Sequence, residues 1–163
     1  MHIFIKNKKL TYGKYRVKCA IGKRGIGNKQ KEGDQITPKG KFKIKIILYR
    51  KDRISNFSSK IAKLPIQKNM GWCDDPYSKD YNKLIKFPFK YSAEKLHRKD
   101  NTYDIILVLN YNLNPIRKRK GSAIFIHIAK KNYKKTLGCV AVSKKDLKKI
   151  IKKINKSTTI HIS

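Results

Sequence analysis

The chain is poor in acid: ten Asp and Glu stand against 42 Lys and Arg in 163 residues, a formal net charge of +32. An excess of that size attracts polyanions without specificity. The lysines are nevertheless spread between apolar residues along the whole chain, whereas nucleic-acid binders gather their charge on one face or in a tail. A dedicated nucleic-acid module is therefore the distant reading, and no specific nucleic-acid partner is expected. Cysteine is also scarce. Cys19, Cys73 and Cys139 are odd in number and show no CxxC spacing, which argues against a disulfide framework and a structural metal site. No metal and no cofactor are expected. No apolar run is long enough to span a bilayer, so no transmembrane segment is expected. The opening MHIFIKNKKL is too short in apolar residues for the core of a signal peptide, so the chain as written is expected to stay in the cytoplasm.

What is present is mostly strand. Tyr15 to Ile21 and Lys41 to Leu48 alternate apolar and polar residues, the period-two pattern of half-buried strands, and His2 to Ile5 reads as a strand that ends at the polar corner Asn7-Lys8-Lys9. Residues 105–109 are continuously apolar, as in a strand covered on both faces. Glycines and Pro38 punctuate residues 22–40, and no GxxxxGK[ST] pattern turns that loop into a phosphate cradle. Residues 50–100 keep no period and read as long loops over a scaffold, where binding sites tend to sit. One helix is clear. Ser143 is a good N-cap with Asp146 three residues on, and Leu147, Ile150, Ile151 and Ile154 form one apolar stripe. The expected fold is mainly β, a β-sandwich or mixed sheet with one helix near the C-terminus packed on it, in a single domain over residues 1–163.

Two residues suggest chemistry. His127 lies in the alternating segment Ala123 to Ala129, facing the same way as Phe125. Cys139 follows twelve residues later, directly after Gly138. A loop of about ten residues lets the two strands pair. If the side chains meet, the imidazole can take the thiol proton, and an ion pair would lower the thiol pKa. The N–H groups around residues 138 to 140 could then face an oxyanion. From spacing alone, a buried structural cysteine beside a satisfied core histidine is slightly favoured. The segment Trp72-Cys73-Asp74-Asp75-Pro76 is equally open, either an Asp-rich turn before proline or the wall of a substrate groove.

Several motifs resemble those of one family. Thr136-Leu137-Gly138-Cys139-Val140 is similar to the S-x-G-C-x-R motif of the L,D-transpeptidase (YkuD-like) catalytic domain. Lys31-Glu32-Gly33-Asp34-Gln35-Ile36-Thr37-Pro38-Lys39-Gly40-Lys41-Phe42 resembles its TPxGxF loop, in the G-D-x-x-T-P-x-G form of one branch. The segments Trp72 to Pro76, Tyr81-Asn82, Gly121 to His127 and Gly138-Cys139-Val140-Ala141-Val142 resemble the same branch. The resemblance runs from about residue 21 to 155.

It implies that Cys139 attacks the carbonyl following the L-centre of a diamino acid in a peptidoglycan stem peptide, releasing terminal D-alanine and leaving a thioester. It also implies His127 as general base, with its ring oriented by a backbone carbonyl. An amine from a second stem would complete a 3-3 cross-link; water would give an L,D-carboxypeptidase instead. Gly138 belongs to the implied catalytic group, and Thr136, Trp72, Asp74, Asp75 and Tyr81 to the implied substrate-binding group. Glu94 resembles a further position of the branch. Ala141 stands where the motif has arginine, which leaves the acceptor open. The resemblance implies the periplasm or cell envelope of a bacterium, against the cytoplasmic expectation from residues 1–20, and a monomer is expected.

Overall fold

A computed structural model describes residues 1–55 and 57–163. The strands are β1 (His2–Lys6), β2 (Lys9–Tyr12), β3 (Tyr15–Lys18), β4 (Ile26–Gly27), β5 (Thr37–Pro38), β6 (Gly40–Tyr49), β7 (Lys63–Pro65), β8 (Met70–Cys73), β9 (Leu84–Lys86), β10 (Ala93–Lys95), β11 (Ile105–Leu109), β12 (Phe125–Ile128), β13 (Val140–Val142) and β14 (Thr159–Ile162), with one α-helix, α1 (Lys144–Lys153). The main sheet is mixed and runs β13-β12-β11-β6-β14-β1-β2-β3, with β7 beside β6. β6 is long enough to serve two neighbours. Its first residues pair with β14 and its later ones with β11. Just past β3, Ala20 and Ala141 exchange both backbone hydrogen bonds, at 2.7 and 2.9 Å. The sheet is thereby nearly closed on itself, which hides most of its edge groups.

β1 buries alternate residues although Ile3, Phe4 and Ile5 are all apolar, which leaves Phe4 half exposed. Ile3 and Ile5 are fully buried, while their neighbours face out. The continuous apolar run of β11 is buried at every position. In α1 the Ser143 hydroxyl accepts the Asp146 N–H at 3.1 Å, and Leu147, Ile150 and Ile151 are buried against the sheet. Ser143 thus satisfies one of the helix's free N–H groups, and the stripe behind it fixes the buried face.

The stretch read as long loops, residues 50–100, differs from expectation. It holds β7 and a separate three-stranded sheet ordered β10-β8-β9; Asn56, within that stretch, lies outside the described residues. All four residues of β8 are buried, and strands of three or four residues leave no room for a period to show. This small sheet carries Trp72 into a second core with Phe125, Leu96 and Tyr103. The larger core lies on the other face of the main sheet, beneath α1.

Candidate active site

The parallel pairing of β12 with β13 sets His127 opposite Ala141 and Ile126 opposite Val140. Cys139 is therefore one step before the ladder, diagonal to His127, on the face that also carries Phe125. Ile126 and Ile128 turn into the larger core. Phe125 meets Trp72 edge-on at 5.4 Å and Tyr103 at 6.0 Å. His127 stands edge-on to Tyr103 at 5.3 Å.

Loop contacts hold the cysteine in place. Gly138 has φ +139°, and a Cβ there would sit 3.0 Å from the Ile36 carbonyl oxygen. The Gly33–Gly40 loop thus rests directly on the residue before the cysteine, and only glycine fits both the angle and the space. Asp34 organises that loop. It pairs with Lys29 at 2.6 Å and accepts the backbone N–H groups of Gln30, Lys31 and Ile36. Burial opposes ionisation of Asp34, but these donors outweigh it and hold the carboxyl at about 2. The Thr136 hydroxyl donates to the Cys139 carbonyl at 2.5 Å and accepts the Gly138 N–H at 3.1 Å. Among the described residues the Cys139 N–H has no hydrogen-bond partner.

The thiol does not hydrogen-bond to His127. It lies 3.4 Å from the Ala123 carbonyl, to which it donates, and 3.4 Å from the Phe125 N–H, which it accepts. Ala123 adopts φ 38°, a conformation a non-glycine residue holds only when its surroundings enforce it. Asn82 supplies that enforcement. Its side-chain oxygen accepts both the Ala123 N–H and the Trp72 Nε1–H at 2.9 Å, and its amide donates to the Asn112 carbonyl at 2.6 Å.

His127 Nδ1 lies 3.0 Å from the Ile128 carbonyl. A carbonyl can only accept, so the proton sits on Nδ1 and the lone pair is on Nε2. Burial pulls the imidazole down to about 4, against the Ile128 contact. Burial also pushes the Cys139 thiol up to about 12, helped by the negative charge of Glu94 and opposed by the Phe125 N–H. The resting pair is thus neutral thiol and neutral imidazole. The ion pair envisaged from the sequence requires a hydrogen bond that the resting geometry lacks.

These groups open onto one cleft of about 550 Å³, a volume in the range of small-molecule sites. Cys139, His127, Gly138, Thr136, Trp72 and Asp74 all line it. Asp75 and Tyr81 do not line it. Asp75 accepts the Tyr77 N–H at 2.9 Å and closes a turn, while the buried Tyr81 donates its hydroxyl to Glu32 at 2.5 Å. Glu32, Tyr103, Lys130, Lys134 and Lys135 line the cleft as well, and sequence reasoning did not single them out. Glu32 stands in the Lys31–Phe42 stretch that resembles the family loop, and the chain's shortage of acid is its further mark.

Residues 1–162 match the L,D-transpeptidase catalytic domain family (YkuD), and the chain belongs to it. No curated protein matches the chain. The family acts on peptidoglycan stem peptides. Among the described residues, no helix is long and apolar enough to cross a membrane.

Proposed function

We infer that the cleft catalyses cysteine acyl transfer on peptidoglycan stem peptides, cutting the bond between the L-centre of a diamino acid and D-alanine. The observation that supports this most is Cys139 beside His127 on paired strands, both open to one cleft in a chain of the L,D-transpeptidase family. With both groups neutral at rest, the thiol proton moves only as the S–C bond forms. Sγ turns from the Ala123 carbonyl toward Nε2 and attacks the substrate carbonyl, and His127 takes the proton. The unpartnered Cys139 N–H is the backbone donor for the developing oxyanion. As the tetrahedral intermediate collapses, the proton passes from Nε2 to the departing D-alanine nitrogen and a thioester remains. An amine from a second stem then attacks the thioester, forms the amide of a 3-3 cross-link and returns the proton to sulfur through His127. Lys130, Lys134 and Lys135 on the cleft rim attract the stem's free carboxylates.

Mass spectrometry of the intact protein incubated with a stem tetrapeptide tests the reading. The expected adduct is the tetrapeptide less D-alanine, attached at Cys139 and missing in folded Cys139→Ala. An adduct that persists in Cys139→Ala sinks the proposal.

A further inference from the structure

All ten acids lie between Glu32 and Asp146, and β1, β2, β3, β6 and β14 contain none of them. These five strands are neighbours in the sheet, in the order β6-β14-β1-β2-β3. Ile3, Ile5 and Leu10 turn into the larger core, which leaves the alternate residues on the outer face. There the strand registers bring together what the sequence spaces apart. Lys6, Lys9 and Lys18 stand directly abreast on β1, β2 and β3. Beside them Arg16, Thr11, Phe4, His161 and Lys41 cross all five strands in a second row. Like charges directly opposite on neighbouring strands are destabilising. Among the described residues, no carboxylate pairs with any of these cations. The fold thus retains a repulsion that a bound polyanion would remove.

Two further observations bear on what meets this face. The first is a cavity of about 360 Å³ lined by Phe4, Lys6, Asn7, Lys9, Thr11 and Arg16. Phe4 is 51% exposed and stacks on His161 at 4.9 Å, so a fixed aromatic ring stands among the cations. A purely ionic contact has no use for it, whereas a polymer that carries both anionic groups and flat apolar rings does. The second is continuity with the cleft. Cys19 turns into the larger core, so Lys18 and Ala20 share the outer face. Ala20 pairs with Ala141, which lines the cleft. Lys18 is therefore roughly 10 Å from Ala141, two residues along one strand and one strand across. Its Nζ also lies 4.9 Å above the ring of Tyr133, between the cleft residues Lys130 and Lys134.

We propose that the outer face of β1, β2 and β3 is a docking site for the peptidoglycan strand whose stem peptide occupies the cleft. Free carboxylates of neighbouring stems meet Lys6, Lys9, Arg16 and Lys18, and a sugar ring lies on Phe4 in the cavity. The inference rests on the acyl-transfer reading of the cleft, and it makes the polymer a better ligand than a soluble stem peptide.

Co-sedimentation of folded Cys139→Ala with purified insoluble peptidoglycan measures docking, and titration with a soluble stem tetrapeptide measures the cleft alone. In that background, Lys6→Gln, Lys9→Gln and Arg16→Gln together should lower the ratio of polymer to tetrapeptide affinity about 10-fold. Phe4→Ala should lower the same ratio. A control carrying Lys148→Gln, Lys149→Gln and Lys152→Gln, all exposed on α1, removes the same charge and should keep the ratio. Equal losses in the two triple variants would mean that bulk charge alone acts, and would overturn the proposal. So would an unchanged ratio in the first variant, or no binding to the polymer at all. A single-stranded oligonucleotide tests the rival occupant. If it binds more tightly than the polymer through the same residues, the face belongs to nucleic acid and the proposal falls. If the ratio responds as expected but the wild type forms no thioester, the docking face stands and the acyl-transfer reading is discarded.

Discussion

The Ile36 carbonyl oxygen lies where a side chain on Gly138 would begin, 3.0 Å from the position of a Cβ. The loop that resembles the family's TPxG signature therefore acts as a stop against which the residue before the nucleophile is seated. Gly138→Ala must shift that loop or abandon φ +139°, and either moves Cys139. Strain of this kind is worth about 1–3 kcal/mol. Acylation by a stem tetrapeptide should fall about 10- to 100-fold, since each 1.4 kcal/mol is tenfold. Full acylation by this variant would show that the seat is not needed.

The thiol's reactivity should follow its own ionisation rather than that of a preformed ion pair. Because burial holds Cys139 at about 12, alkylation by iodoacetamide should rise about tenfold per pH unit from pH 7 to 10 without a plateau. A plateau near neutral pH would instead reveal a thiolate–imidazolium pair at rest.

Stability should depend on pH in two windows set by the same residues. His127 titrates at about 4 against a reference of 6.5, so between these values the unfolded chain binds the extra proton. Its contribution is complete above pH 6.5 and is lost as the pH falls toward 4, by about 3 kcal/mol at most. Cys139 is raised from 9.0 to about 12, so its contribution is complete below pH 9 and is lost as the pH rises toward 12. Urea unfolding of wild type against His127→Asn should show a shallower acid decline in the variant. Cys139→Ala should likewise flatten the alkaline decline. Parallel curves would contradict the assignment.

Asn82→Ala should damage both fold and site. It leaves the buried Trp72 Nε1–H and the Ala123 N–H without their acceptor, at about 1–3 kcal/mol for each unsatisfied group. It also frees Ala123, whose carbonyl holds the thiol. Thermal melts and tetrapeptide acylation should both decline. A stable variant with full acylation would remove Asn82 from the site's support.

Much of this was readable in the residues. Alternation marked β6 and β12, and Ser143 with its apolar stripe marked α1, because a period or a cap is a local property. The face shared by Phe125 and His127 was also legible, since strand side chains alternate. The small sheet around β8 was not, because Met70–Cys73 is buried on both faces and too short to show a rhythm. Nor was the support from Asn82, which joins residues 30 and 41 positions apart in sequence. That Tyr81 reaches the cleft through Glu32 rather than by lining it needs three-dimensional placement. The thiol's resting partner was equally hidden, since it depends on the turn at Ala123.

The last strand has a bearing on when the molecule can fold. β14 lies between β6 and β1, so it alone joins the β1–β3 portion to the long central strand on that side. Its partners on β6 are about 120 residues back in the chain, and those on β1 about 157. During synthesis the slot between them stays open until residues 159–162 are free to enter it. Closure of the sheet therefore waits for β14 and is dominated by long-range pairing of the kind that slows folding. Until then β1 and β6 present unpaired edges, which favour association with other chains.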